Sequence, residues 1–502
     1  MINIGKKCLA ALLAASMVFG VTGCGRQKKA KKPYVQSTAE VKNGTAKAEG
    51  KGKQQSEVPL IIGCGRLDKN FNPFLAQAAS DEQVMNLTQT KLFDTDRAGR
   101  LVEKGIDGEL REYNDENYTY YGIADIKKAR RTKANYTVYR ITIRDDLLFS
   151  DGQPITIDDV IFSLYAFCDN DYDGNVQLKS SNIRGLLNYQ ANNAQAESYT
   201  DKQVKKYIRK KPAALQKWMQ KHSSDESGYE SALERQARYL MAKQAKKKTR
   251  VNSIEGIKRL NDYELRIYTT GYDSRFEEKL QIPICPLHYY GDTTKYSYNA
   301  NKFGFKRGDL SAIRANKSSP VGAGAYRFVK YDSGIAYFMA NELYYQGCPK
   351  ITYVQLKDLT KLFKDEDLTG AKLAEEMKGQ TVDVASLALT QPDLEAIGEI
   401  NGNGKMSGNE INTCQSANAS YAYWGLNPYR VCINNEPFSE QSAALRHAIA
   451  MVVSACRGVQ METEGAKLTS VNAQAAKDSW LSPEQPNKDK LCYAETPDGK
   501  EQ

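Results

Sequence analysis

Apolar and polar positions alternate most clearly over residues 136–144. There Thr137, Tyr139, Ile141 and Ile143 interleave with Tyr136, Val138, Arg140, Thr142 and Arg144. This period of two predicts a strand with Tyr139, Ile141 and Ile143 on one face. Ser150-Asp151-Gly152-Gln153-Pro154 is turn chemistry. Thr156 then stands where a helix needs a cap, with Asp158 and Asp159 suited to its positive end and Val160, Ile161, Leu164 and Phe167 forming its apolar stripe. Upstream, Val58 to Gly63 reads as a short buried strand ending in a glycine turn. Val84, Leu87, Leu92 and Phe93 predict a helix over 81–94 with Ser80 as its N-cap. Residues 195–250 are rich in Lys, Gln, Ala and Glu, with Leu215, Trp218 and Met219, then Leu233, Leu240 and Met241, at helical spacing. They predict a helical insertion with solvated charged faces; the rival reading is a partner-binding surface. Strand patterns return at 264–268, 325–331 and 335–340, and the Gly/Asn run at 401–409 is a loop. Such mixing, in a chain of 502 residues, predicts an α/β or α+β protein of several lobes.

The N-terminal residues obey other rules. Lys6 and Lys7 precede an apolar stretch, Cys8 to Val21, broken only by Ser16 and Gly20 and too short to span a bilayer comfortably. Val21-Thr22-Gly23-Cys24 resembles the bacterial lipobox. That resemblance implies a signal peptide over 1–23 and lipidation of Cys24; the plainer alternative is an ordinary cleaved signal with an incidental cysteine. Residues 24–57 are then a disordered tether, with Tyr34 their only aromatic. Lys28, Lys29, Lys31 and Lys32 would each add about 1 kcal/mol of attraction beside an anionic membrane, or simply solvate the spacer. These segments also account for most of the charge. Of the net +10, Lys6 and Lys7 supply two and residues 26–57, with nine basic and three acidic side chains, supply six. A body near +2 offers no broad basic groove, so no nucleic-acid partner is expected.

Candidate chemistry is sparse. Apart from Cys8 and Cys24 there are eight cysteines, which allow 105 full pairings, and the three histidines (His222, His288, His447) are scattered. Asp169-Asn170-Asp171-Tyr172-Asp173-Gly174 opens like a calcium loop, but its twelfth position is Ser180, which cannot close one. Gly322-Ala323-Gly324 lacks the third glycine of a phosphate cradle and leads into a strand. Asp145-Asp146 and Asp158-Asp159 are explained by a turn and a helix start. No catalytic constellation, metal site or cofactor is implied. The 31 tyrosines suit a binding protein, though many must be packing.

The run from Tyr136 to Ser163, a strand ending in arginine, a Phe149-Ser150-Asp151-Gly152 turn and a helix opening at Asp158-Asp159-Val160, closely resembles the signature of family 5 extracellular solute-binding proteins, the peptide- and nickel-binding subunits of ABC importers. Phe71-Asn72-Pro73-Phe74 is similar to that family's opening Asn-Pro loop, and Lys91 to Gly99 to its helix-to-strand passage. Pro286-Leu287-His288-Tyr289-Tyr290, Pro320 to Tyr326 and Asn341 to Tyr345 resemble further stretches, as do Tyr423 to Asn427 and Leu445 to Ala450. Ala323, Ala325 and Tyr345 depart from the common residues.

The resemblance implies a periplasmic-binding-protein class II-like α/β fold with two lobes and an extra subdomain, closing on ligand by hinge motion. It implies no enzyme, but capture of peptides, with nickel, haem or sugar as other solutes, and delivery to ABC permease subunits. The location is then the cell surface or the extracytoplasmic face of the cytoplasmic membrane, with the membrane itself a partner through the N-terminal lipid. The domains expected are a first lobe over 58–350, carrying the helical insertion at about 195–250, and a partial second lobe over 351–502, because family members continue well beyond the helix at 445–450. Ligand contacts are expected from Phe74 and Gln77 in the Phe71–Gln77 loop and from Tyr421, Trp424 and Asn427. An exported hydrolase and a surface sensor that docks through 195–250 are the competing readings.

Overall fold

The computed structural model describes residues 58–463, apart from 114, 223–227, 363–368, 387–390 and 415–424. In chain order its principal elements are β1 (Leu60–Cys64), α1 (Ala79–Thr88), β2 (Glu109–Tyr113), β3 (Glu116–Tyr120), β4 (Ala124–Arg131), β5 (Tyr136–Ile143) and α2 (Ile157–Cys168). The insertion follows as α3 (Asp201–Arg209), α4 (Ala213–Met219) and α5 (Tyr229–Gln244). Then come β6 (Ile257–Asn261), β7 (Glu264–Thr270), β8 (Tyr326–Asp332), β9 (Ile335–Ala340), β10 (Tyr353–Asp358), α6 (Gly370–Lys378), β11 (Val384–Ala385), α7 (Gln391–Ile400) and α8 (Glu440–Thr463).

Two sheets organise these elements. A five-stranded sheet runs in the order β8-β9-β10-β1-β11, and a four-stranded antiparallel sheet runs β4-β5-β7-β6. In the first sheet β1 lies parallel to both neighbours, with Leu60 opposite Val354, Cys64 opposite Asp358 and Ile62 opposite Val384. β8, β9 and β10 form an antiparallel meander, with a register shift between Phe328 and Lys330. The strand expected to end in a turn at Gly63 therefore continues through it to Cys64. Gly63 is pressed by Leu359 and Val382, where a Cβ would meet the Leu359 side chain at 2.8 Å.

The second sheet buries the face that the alternation assigned to it: Tyr139, Ile141 and Ile143 are at most 2% exposed. Against that core sits α2, whose stripe of Val160, Ile161, Leu164 and Phe167 is fully enclosed. Truncating a ring such as Phe167 to alanine costs about 3–5 kcal/mol in such a setting. Thr156 and Asp159 cap α2 reciprocally: the Thr156 amide donates to Asp159 Oδ2 at 2.9 Å, and Thr156 Oγ1 accepts from the helix start. A second bond from the Leu287 amide to Asp159 Oδ1, at 3.0 Å, ties the cap to the 283–290 segment. α3 to α5 bury Val204, Leu215 and Ala237 among themselves, and Arg235 reaches back to the Lys179 carbonyl at 3.0 Å and to Gln190 Oε1 at 2.7 Å.

Two expectations are corrected. The helix at 81–94 is α1, which begins one residue before Ser80, has Ala78 as its N-cap and stops at Thr88. Leu92 and Phe93 are buried beyond it in a bend outside the helix, where the Leu92 amide donates to the Ile282 carbonyl at 2.8 Å. The boundary at 350/351 cuts through the first sheet, because β10 and β11 pair directly with β1. Leu359, Leu373 and Val382 then form one small cluster with Ala385 of β11, so the chain beyond 351 continues to build on that sheet.

Candidate functional site

β1 and β10 are parallel neighbours, so the loops leaving their carboxyl ends emerge side by side. In open α/β sheets this is where ligands bind. Gly65–Asn70 and Asp358–Lys361 flank an open crevice of about 650 Å³ lined by Arg66, Leu67, Asp68, Lys69, Asp358, Thr360 and Lys361.

Two buried carboxylates shape its wall. Asp358, 2% exposed, accepts the Leu67 amide at 3.2 Å through one oxygen; through the other it accepts the Thr360 amide at 3.0 Å and the Thr360 hydroxyl at 2.6 Å. Asp81, in the first turn of α1 and 1% exposed, accepts the amides of Asp68 at 3.1 Å and Asn70 at 3.2 Å. Desolvation raises the Asp81 carboxyl above the ordinary range, and these amide bonds work against it. Between the two anchored amides Lys69 has φ of +63°, a left-handed conformation uncommon for lysine. Beneath the loop the Cys64 thiol donates to the Lys357 carbonyl at 3.4 Å. Burial, with the Asp358 charge adding to it, pushes that thiol up to about 12, so it is a packing group and not a nucleophile.

The outer face is cationic. Lys69 Nζ lies 5.0 Å from the centre of the Tyr331 ring, and Lys361 Nζ lies 5.6 Å from the same centre while donating to the Tyr331 hydroxyl at 3.1 Å. That hydroxyl contact raises the Lys361 pKa. Arg66 pairs with Asp68 at 3.0 Å, but both side chains are largely in water (79% and 51% exposed), so the pair is weak and can be exchanged for a ligand contact. Phe71 braces Tyr331 from below at 5.8 Å.

A second, smaller cleft of about 380 Å³ opens beside α1, lined by Phe74, Met85, Gln89, Asp94, Tyr344 and Tyr345 among others. Desolvation lifts the Asp94 carboxyl, partly offset by Lys91. Burial pushes the Tyr344 hydroxyl up to about 12.

The residues expected to touch ligand are distributed differently. Phe74 is 1% exposed, with its ring 4.8 Å from Phe167, 5.9 Å from Phe162 and 5.8 Å from Tyr290; it is a core ring at the edge of the smaller cleft. Gln77 is exposed and donates to the Asp173 carbonyl at 3.0 Å. Asn427 shapes a turn, its Oδ1 accepting the Tyr429 amide at 2.9 Å. Neither Gln77 nor Asn427 lines either cleft. Cys24, Tyr421 and Trp424 lie outside the described residues.

The acids at 169–173 are engaged by protein. Asp169 accepts the Gly308 amide, Asp171 accepts the Leu310 amide at 2.8 Å and pairs with Arg314, and Asp173 pairs with Arg314 at 3.1 Å. His288 Nε2 meets Asp151 at 2.7 Å beside Phe149. Among the described residues no group of three His, Cys, Asp or Glu side chains is placed to hold a metal ion, and no helix is long and apolar enough to cross a membrane. The sequence reading missed Arg66, Lys69, Asp358, Thr360 and Lys361. The signal within reach was the segment directly after the predicted strand at 58–63; the strand opposite, β10, was not recognised.

Compared with known proteins, residues 125–454 match the model of the bacterial extracellular solute-binding proteins, family 5 Middle. No curated protein matches the chain. Solved structures similar to it include the oligopeptide-binding protein AppA of Bacillus subtilis in complex with a nonapeptide, at 14% identity and a TM-score of 0.42, covering 70% of this chain and 47% of that one. NikZ of Campylobacter jejuni in complex with Ni(L-His) has 19% identity and a TM-score of 0.36, covering 69% and 45%. Lactococcal OppA, complexed with an endogenous peptide in the closed conformation, has 13% identity and a TM-score of 0.40, covering 66% and 46%. The chain spans about half the length of these structures.

Proposed function

We propose, from the premise that this chain belongs to the bacterial extracellular solute-binding proteins of family 5, that it captures peptides outside the cytoplasmic membrane and delivers them to an ABC permease. The family has the periplasmic-binding-protein class II fold and consists of binding proteins, not enzymes. The observation that carries the peptide reading is the crevice at the carboxyl ends of β1 and β10. Its walls are loops fixed from behind by Asp81 and Asp358, so the recognition surface is organised before ligand arrives. Loops of this kind hold an extended peptide through main-chain hydrogen bonds without reading every side chain. The lining fits binding better than turnover: its one hydroxyl, on Thr360, is committed to Asp358.

The test is thermal stabilisation of the full chain by a mixed peptide library, by nickel and by sugars, with mass spectrometry of the recovered library. Peptide at a hundred times its Kd adds about 2.7 kcal/mol, so the melting temperature should rise with peptide and the library should come back uncut. No rise with any peptide, or cleavage of the library, overturns the reading. Within the same proposal Cys24 carries the lipid anchor. Cys24→Ser should leave the membrane fraction or remain unprocessed; membrane association equal to the parent would defeat that part.

A further inference from the structure

The crevice has a charge character that peptide capture alone does not require. Lys69 and Lys361 extend from opposite walls, one from the loop after β1 and one from the segment after β10, and both converge on the Tyr331 ring. Among the described residues neither ammonium is paired with a carboxylate; both rest on the ring or its hydroxyl. Arg66 adds a third cation, and its pair with Asp68 is held weakly in water. The remaining acid of the lining, Asp358, is spent on three internal hydrogen bonds. The lysine display is itself constructed: the amides on either side of Lys69 are both held by the buried Asp81, and Lys69 keeps a positive φ of 63°. A left-handed lysine held by a buried carboxylate is a feature that folding alone does not favour, and such departures gather at binding sites. The acidic run at 365–367 lies outside the described residues.

We infer that this crevice receives a carboxylate of the ligand between Lys69, Lys361 and Arg66. The inference rests on the peptide reading and deepens it, since a peptide offers that group either at its C-terminus or on Asp and Glu side chains. An ammonium resting on a tyrosine ring is held by an attraction comparable to that of an exposed ion pair, so exchanging the ring for a carboxylate is readily reversible, as delivery to a permease demands.

Calorimetric titration of the full chain separates the possibilities with three ligands: a neutral tetrapeptide with a free C-terminus, the same peptide amidated, and the amide carrying one internal Glu. The free acid should bind more tightly than the plain amide, by about fivefold for each charged contact, and the advantage should shrink as salt screens it. Lys69→Asn tolerates the left-handed backbone, and Lys361→Gln keeps a polar chain of similar length. Each should weaken the free acid by about fivefold and weaken the plain amide less, so that the gap between the two ligands narrows. Recovery of affinity in the Glu-bearing amide would assign the site to side-chain carboxylates, and failure to recover would assign it to the terminal one; both support the inference. Equal binding of all three ligands, with no salt dependence and no effect of either variant, overturns it while leaving peptide capture standing. If none of the three binds, the peptide reading fails and takes the inference with it. The comparison of free acid with amide on the unaltered chain needs no variant to fold.

Discussion

Removal of the Asp358 carboxylate is the most direct probe of how the sheet holds its crevice. In the folded chain this group accepts three donors: the Leu67 amide at 3.2 Å, the Thr360 amide at 3.0 Å and the Thr360 hydroxyl at 2.6 Å. Asp358→Ala deletes the acceptor for all three. Hydrogen bonds to a charged acceptor contribute about 1.5–3 kcal/mol each, and an unsatisfied buried donor costs about 1–3 kcal/mol. These do not add, because the crevice is open and water can enter to replace part of what is lost. We therefore expect a local loss of about 2–4 kcal/mol. The loss is confined to two loops, so a local readout is sharper than a global midpoint. Hydrogen exchange reads it locally: protection of the amides in 65–70 and 359–361 should fall about 30-fold or more, while α2 and β5 keep theirs. Asp358→Asn retains one acceptor and should fall between the two. The Cys64 thiol offers a second readout. It sits directly opposite Asp358 in the β1–β10 register, and Asp358 is one reason its pKa stands at about 12. Its pKa should drop in Asp358→Ala but stay well above 9.0, since burial is the larger cause. Protection within threefold of the parent in both loops would refute the view that this carboxylate organises the crevice.

Three further outcomes follow from other parts of the molecule. Thr156→Ala removes one half of the cap on α2 and should cost about 1 kcal/mol in thermal unfolding, with Thr156→Ser recovering most of it. Gly324→Ala would drive a Cβ to 2.4 Å from the Leu87 carbonyl and 2.5 Å from the Thr88 backbone; because backbone cannot step aside, we expect about 1–3 kcal/mol of destabilisation, seen as a lower melting temperature. Desolvation would raise the Glu109 carboxyl, but Arg111 and the amides of Glu103 and Lys104 outweigh it and hold it below the ordinary 4.5. Its contribution is therefore present above 4.5 and lost as pH falls through the lowered folded value, so Glu109→Gln should melt below the parent at pH 7 and match it in strong acid.

What could be read from the sequence was what the chain settles over short distances. The strand at 136–143 is fixed by its own alternation, and the cap of α2 by Thr156 and Asp159 three residues apart, so both stand where the pattern put them. The end of α1 is a different matter. Leu92 and Phe93 continue a plausible helical stripe, yet the helix stops at Thr88, where the Gly322-Ala323-Gly324 segment lies against the chain and the Gly324 amide donates to the Thr88 carbonyl at 2.9 Å. That partner is more than two hundred residues away and leaves no local trace. The crevice was hidden for the same reason, since Leu67 and Asp358 are 291 residues apart when they form the bond that joins its walls. The family resemblance implies a ligand contact at Phe74, in the Asn-Pro loop. Here the loop folds inward instead, Asn72 Nδ2 donating to the Ile313 carbonyl at 2.7 Å and its Oδ1 accepting the Phe74 amide at 2.9 Å, and the ring follows into the core. Lys69 needs the opposite treatment: its charge and its place after a strand are visible in sequence, but its left-handed backbone becomes legible only once Asp81 is seen holding the amides on either side. A site assembled from strand ends is therefore found by asking which strands are parallel neighbours, and only then by asking which residues follow them.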